Sequence, residues 1–315
     1  MKGYENIAII GAGLMGHGIA QVFASAGHEV RLTDVSRDVL EKAPQNIRAN
    51  LTLLAENGIG RKEEIETVMG RVKVSDSLDE AVSCAVMVIE AVIERLDIKQ
   101  GLFRNLDSLC PSEVILATNT SVISITEIAA KTGVRKRVVG THFWNPPYLI
   151  PLVEVVPGAE TSPDIVDATY RLLESVGKRP VKVKRDVPGF VGNRLQHALW
   201  REAISIVDQG IADAATVDEV IKNSFGIRLP VLGPMATADM VGLDLTFQIH
   251  DYILKHLDRS VEPAPILRRK AEAGELGFKT GKGFQEWDEK GMQECRAGLL
   301  KHLIRWTKEN RMPDK

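Results

Sequence analysis

Four polar residues stand within or beside apolar runs, and together they could move a proton. His142 closes the run Arg137 to His142, and Glu154 sits inside Leu152 to Val156 with apolar neighbours on both sides. A carboxylate buried in such a run is costly unless a partner meets it, and a histidine suits that part. An imidazole titrates near neutrality, so it can take the proton of an alcohol. A carboxylate beside it fixes the tautomer and stabilises the imidazolium. Ser121 follows the run Val114 to Thr118 in the segment Asn119-Thr120-Ser121, and Asn193 stands at the start of a long helical pattern. Each has a plainer reading alone: His142 as a satisfied core histidine, Ser121 and Asn193 as helix caps, with Thr126 another candidate cap.

A second constellation lies at the beginning of the chain. The apolar run Ile7 to Ile10 leads into Gly11-Ala12-Gly13-Leu14-Met15-Gly16, and an apolar pattern of helical spacing follows. Between a strand and a helix, GxGxxG binds a dinucleotide: Gly11 makes the tight turn, Gly13 lets backbone approach a pyrophosphate, and Gly16 allows close helix–strand packing. The whole turn, Leu14 and Met15 included, is candidate cofactor-binding backbone, because free N–H groups at a helix start face phosphates. Asp34 ends the next strand, where a carboxylate accepts from ribose hydroxyls and repels a 2′-phosphate. NAD is therefore expected over NADP, with Arg37 pulling the other way. Glu90 and Glu94 read either as surface charges or, for Glu94 beyond the buried run Val86 to Glu90, as a residue lining the cleft.

These residues need a scaffold that brings strand ends together. Short apolar runs alternate with helical patterns from Ile7 to Val183, which argues for an α/β, parallel, doubly wound sheet. A polar helix-forming stretch, Val39 to Val72, broken near Asn57 to Gly60, is too long for a simple crossover and suggests a helical hairpin. After Asp186-Val187-Pro188-Gly189-Phe190 strand signals vanish. Helices are expected over Val191–Gly210, Ala215–Ser224, Met235–His256 and Ile266–Ala273. The boundary is placed near residue 187, with a cofactor domain over 1–187 and an all-α domain over 188–315. Leu299, Leu300, Leu303 and Ile304 form an apolar stripe near the end of the chain. It is expected to pack on its own domain rather than to reach across a dimer.

Composition sets the outer limits. The 315 residues are 44% hydrophobic and 26% charged, with 40 Lys+Arg against 42 Asp+Glu and a formal net charge of -2. That balance offers no global attraction for nucleic acid or an anionic membrane. No apolar run nears the roughly 18 residues of a membrane span, and no secretory leader is read at the start. Cys84, Cys110 and Cys295 have neither CxxC spacing nor a neighbouring His pair. Neither a disulfide framework nor a metal site is expected, and a cytoplasmic setting is.

Several segments carry a resemblance: GAGLMG, ATNTSVISIT, GTHFWNP, PLVEVV, DVPGFVGNRL, Gly233-Pro234 and LGFKTGKGF. In order, and spread over most of the chain, they resemble the short-chain L-3-hydroxyacyl-CoA dehydrogenase family. The resemblance implies a Rossmann-like NAD domain, an all-α domain that forms a homodimer, and reversible oxidation of a 3-hydroxyacyl-CoA in fatty acid metabolism. It implies that His142 is the catalytic base, Glu154 its charge partner, and Ser121 and Asn193 the residues holding the substrate oxygen. Asp34, Glu94, Lys99 and Asn119 fall where the family contacts NAD. Arg61 and Lys62 are candidate contacts for CoA phosphates, against the plainer reading of solvated charges. One segment departs: Trp144-Asn145-Pro146-Pro147-Tyr148-Leu149-Ile150-Pro151 looks more like relatives acting on gulonate, carnitine or a pyridine carboxylate. That loop sets a dehydrogenase of a compact free hydroxy acid beside the acyl-CoA reading; a third reading, a structural protein that keeps NAD binding, has the retained His142, Glu154, Ser121 and Asn193 against it.

Overall fold

The computed structural model describes residues 6–310. Its first compact unit runs to Asn193 and takes in the chain again from Leu300, and Arg194–Leu299 forms a second. In the first unit β1 (Asn6–Ile10) is buried from Ile7 onward, as expected for β-branched residues covered on both faces. There follow α1 (Leu14–Ser25), β2 (Glu29–Thr33), α2 (Arg37–Glu56), α3 (Ile65–Gly70), β3 (Val72–Val74) and α4 (Leu78–Val82). Next come β4 (Met87–Glu90), α5 (Leu96–Leu109), β5 (Ile115–Thr118), α6 (Ile125–Ala129), β6 (Val138–Phe143), β7 (Leu152–Pro157), α7 (Pro163–Ser175) and β8 (Arg179–Lys182).

The eight strands form one sheet in the order β3-β2-β1-β4-β5-β6-β7-β8. Helices cover both faces. Ile19 and Phe23 of α1 and Leu173 of α7 pack on Ile9 and Leu32 on one side. Phe103 and Leu106 of α5 and Ile125 and Ile128 of α6 pack on Ala8, Val88 and Leu116 on the other. The sheet is mixed rather than wholly parallel, because β7 runs antiparallel to β6. Only the segment 144–151 joins them, and a parallel crossover needs about a dozen residues or more. That reversal sets His142 opposite Glu154 in register, where facing side chains come within reach of each other.

The stretch between β2 and β3 is the expected hairpin. Ser36 caps α2 by accepting from Val39 N, and α2 turns Leu40, Ala43, Ile47 and Leu54 inward. The second unit is helical: most of α8 (Gly192–Asp208), then α9 (Ala214–Lys222), α10 (Pro234–Val241), α11 (Leu243–Ile253), α12 (Pro265–Glu272) and the start of α13 (Glu289–Asn310). Where one helix was expected over Met235–His256 there are two, broken at Gly242, whose φ of 101° favours glycine. The C-terminal stripe departs from expectation as well. Leu300, Leu303 and Ile304 pack against Leu54, Ile59, Tyr148 and Leu149 of the first unit, since those residues present an apolar surface that needs a cover. The last five residues of that tail lie outside the described residues. Among the described residues no helix is long and apolar enough to cross a membrane.

Candidate active site

His142 and Glu154 meet as the register requires. Nδ1 of the imidazole lies 2.8 Å from Glu154 Oε2, and both side chains are buried. A carboxylate only accepts, so Nδ1 carries the proton and Nε2 presents its lone pair. Trp144 (centroids 5.1 Å apart) and Phe190 (5.9 Å) both pack against the ring at a tilt. Glu154 Oε1 accepts from the N–H groups of Val191 and Gly192, both at 3.0 Å, which ties the pair to the start of α8. Burial pushes the Glu154 carboxyl upward, but the bonds from His142, Gly192 and Val191 outweigh it and hold the group below its ordinary value. A carboxylate with a depressed pKa contributes stability above its ordinary range and loses it as pH falls through the depressed value. Glu154 is therefore ionised at neutral pH.

Asn193, the second residue of α8, donates from Nδ2 to the backbone oxygen of Ser121 at 2.8 Å. It is not a cap. Nor is Ser121 or Thr126: α6 is capped by Ser124, which accepts from Glu127 N. Asp186 ties this segment down by accepting from Ser124 Oγ and Thr126 Oγ1, each at 2.6 Å. Glu94 organises the loop carrying Ser121, accepting from Thr120 Oγ1 at 2.6 Å, Ser121 N at 2.8 Å and Val122 N at 3.2 Å. Burial works against the charge on Glu94, yet these donors and Lys99 hold its pKa below the usual value. Asn119 accepts from Phe143 N at 2.9 Å, fastening β5 to the residue after the histidine.

Lys99 is enclosed. Its ammonium lies 2.6 Å from Glu90 and 3.2 Å from Glu94. Glu90 is no surface charge: it is wholly buried and also accepts from Val92 N and Thr118 Oγ1. Its apolar neighbours carried the same signal that singled out Glu154, and that signal was available in the sequence.

At the other strand ends, the glycine turn is closely packed at its two outer glycines and open at the middle one. A Cβ on Gly11 would lie 2.5 Å from Ala91 O, and one on Gly16 would lie 1.7 Å from Gly11 O, so packing forbids both. A Cβ on Gly13 would meet nothing within 4 Å. Packing does not demand a glycine at 13, and the open space there suits an approaching pyrophosphate. Gly13 caps α1 without a side-chain bond, Leu14 at its first turn is exposed, and Met15 is half-buried. Asp34 accepts from Ala12 N at 2.7 Å and Ser36 N at 2.8 Å, joining the turn to the end of β2.

Residues 6–187 match the family described as 3-hydroxyacyl-CoA dehydrogenase, NAD binding domain, and residues 189–287 match its C-terminal domain. The chain belongs to the 3-hydroxyacyl-CoA dehydrogenase family. It is an NAD-dependent oxidoreductase of that type. A protein of Bacillus subtilis (strain 168) described as a probable 3-hydroxybutyryl-CoA dehydrogenase is 41% identical over 287 residues, covering 91% of this chain and 98% of the relative. Among solved structures, 5-formyl-3-hydroxy-2-methylpyridine 4-carboxylic acid 5-dehydrogenase, described as an NAD+-dependent dismutase, superposes with a TM-score of 0.91 at 35% identity. It covers 98% of this chain and 100% of its own. The (S)-3-hydroxybutyryl-CoA dehydrogenase of Ralstonia eutropha gives a TM-score of 0.76 at 34% identity, covering 91% and 100%.

Within this dehydrogenase family frame, Asp34→Ala is expected to narrow the preference for NAD over NADP, since it removes the charge that would repel a 2′-phosphate. Ratios of kcat/KM with the two cofactors measure it. An unchanged ratio would show that Asp34 serves only the turn.

Proposed function

We propose that the protein oxidises the 3-hydroxyl of an L-3-hydroxyacyl-CoA to the ketone, reversibly, with NAD. The observation that carries the reading is the buried His142–Glu154 pair with Nε2 left as base. Bound NAD, held at Gly11–Gly16, Asp34, Glu94 and Asn119, supplies the hydride acceptor. His142 takes the hydroxyl proton at Nε2. Glu154 keeps the opposite nitrogen protonated and offsets the charge the imidazole gains. Ser121 and Asn193, joined through the Ser121 carbonyl, orient the substrate oxygen. Lys99 contributes to cofactor binding by fixing Glu94 rather than by touching NAD.

A second reading, a compact free hydroxy acid as substrate, is favoured by one observation. The TM-score of 0.91 comes from the pyridine-carboxylate dehydrogenase, whose 98% cover of this chain is too large to stop at residue 287, where the family match ends. The tail beyond that point buttresses Tyr148 and Leu149, in the loop after the catalytic strand. Initial rates with acetoacetyl-CoA and NADH, set against gulonate, carnitine and 3-hydroxybutyrate with NAD, separate the two. The acyl-CoA is expected to give the highest kcat/KM; turnover of a free acid alone would replace the first reading with the second. NAD binding without turnover on any of them would support the structural protein.

The helical unit supports a homodimer. Met240, Leu243, Phe247 and Tyr252 are all exposed, Phe247 at 73%, and large apolar side chains left exposed in this way suit an interface with a second copy. Three unpaired cysteines suit a reducing compartment such as the cytoplasm.

A further inference from the structure

Beneath the α2–α3 hairpin, between α1 and the loop after β6, lies a cavity of about 310 Å³. Neither the catalytic pair nor the glycine turn lines it; its wall carries Gln21, Ser25, Arg61, Glu64, Tyr148 and Lys178. Two of these are buried in a state that their surroundings leave incomplete. Gln21 is 1% exposed, and its Oε1 has no hydrogen-bond partner. A buried polar atom left unsatisfied in this way is destabilising. Lys178 is 8% exposed, and its ammonium donates to the carbonyls of Pro147 and Ile150, the latter at 2.9 Å. No carboxylate pairs with Lys178 among the described residues, although a buried cation without a counter-charge is strongly disfavoured. Burial pushes its pKa down to about 8.

The remaining groups fit an anion too. Glu64 brings the one negative charge in the wall and is already paired with Arg61, so Lys178 remains as excess positive charge. Burial pushes the Tyr148 hydroxyl upward, which keeps it a donor at neutral pH. A half-turn of the Gln21 amide presents N–H donors in place of Oε1.

We propose that this cavity is a second ligand site, built for a small oxyanion held by the Lys178 ammonium and the Gln21 amide. The volume admits a phosphate or a short carboxylate with ordered water. Occupancy draws on the same ammonium that ties the Pro147 and Ile150 carbonyls, so the anion reaches the loop that sets Trp144 against His142. The site stands independently of the substrate assigned above.

Titration calorimetry of inorganic phosphate, and separately of acetate, into protein saturated with NAD tests it; the NAD fills the phosphate-binding start of α1. Saturable one-site binding is expected, weakened about tenfold or more in Lys178→Met and in Gln21→Met, the range for losing a hydrogen bond to a charged group. The affinity for NAD should be unchanged in both variants. Preference for phosphate would assign a phosphorylated ligand, and preference for acetate a carboxylate. Should Lys178→Met fail to fold, Gln21→Met decides alone. No saturable binding of either anion, or binding undiminished in Gln21→Met, overturns the proposal.

Discussion

His142→Ala is expected to lower kcat by about 10²–10⁴-fold, the range for losing a positioned general base. The imidazole is the one basic group in the candidate site with a nitrogen free for substrate, its other nitrogen being held 2.8 Å from Glu154. Trp144 and Phe190 both pack against the ring, and with the Glu154 bond they set its orientation before substrate arrives. Affinity for NAD should stay near that of the parent, because Asp34 and the glycine turn lie at the ends of other strands. Stopped-flow turnover with acetoacetyl-CoA and NADH, beside fluorescence titration of NADH, separates the chemical step from binding. Turnover within a few-fold of the parent would remove His142 from the mechanism. Lost NADH affinity with equal loss of thermal stability would mean that the substitution had disturbed the sheet.

What could be read from the residues followed how locally each feature is encoded. The strand, glycine turn, helix and acidic strand end all lie between Asn6 and Asp34, so spacing alone defined them. The pairing of His142 with Glu154 was legible because a charge among apolar neighbours demands a partner, and the register of β6 on β7 supplied one. Local pattern carries no strand direction, so the antiparallel turn of β7 went unread, although the shortness of segment 144–151 contained the reason. The same blindness hid Lys178, whose carbonyl partners lie about thirty residues earlier in the chain. The tail shows the limit most plainly. Its apolar stripe announced a packed helix, yet which surface it covers depends on Leu54 and Leu149, and no pattern within the tail names them. Ser121 and Asn193 were found as polar residues near strand and helix ends, but only the folded chain shows that one side chain holds the other's carbonyl.

Lys99→Met is expected to destabilise the protein by about 3–5 kcal/mol, the cost of removing one partner from a buried ion pair. The ammonium is 1% exposed and the Glu90 carboxylate 0%, so water cannot replace the lost charge. Methionine fills a similar volume, which leaves the uncompensated carboxylate as the main source of the loss. Glu90 would keep Val92 N and Thr118 Oγ1, two neutral donors in place of an ion pair. The effect should reach the site through Glu94, which sits 3.2 Å from the same ammonium and accepts from the loop bearing Ser121. Weaker NAD binding and a higher substrate KM are therefore expected together with the lower stability. Urea denaturation of the single variant and of Lys99→Met/Glu90→Gln distinguishes charge from packing. If uncompensated charge dominates, neutralising Glu90 restores much of the stability, since the amide oxygen can still accept while no charge remains buried. If Lys99→Met lies within about 1 kcal/mol of the parent, the pair is not the electrostatic anchor of the Glu94 loop. A double variant no more stable than Lys99→Met would instead place the loss in packing around β4 and α5.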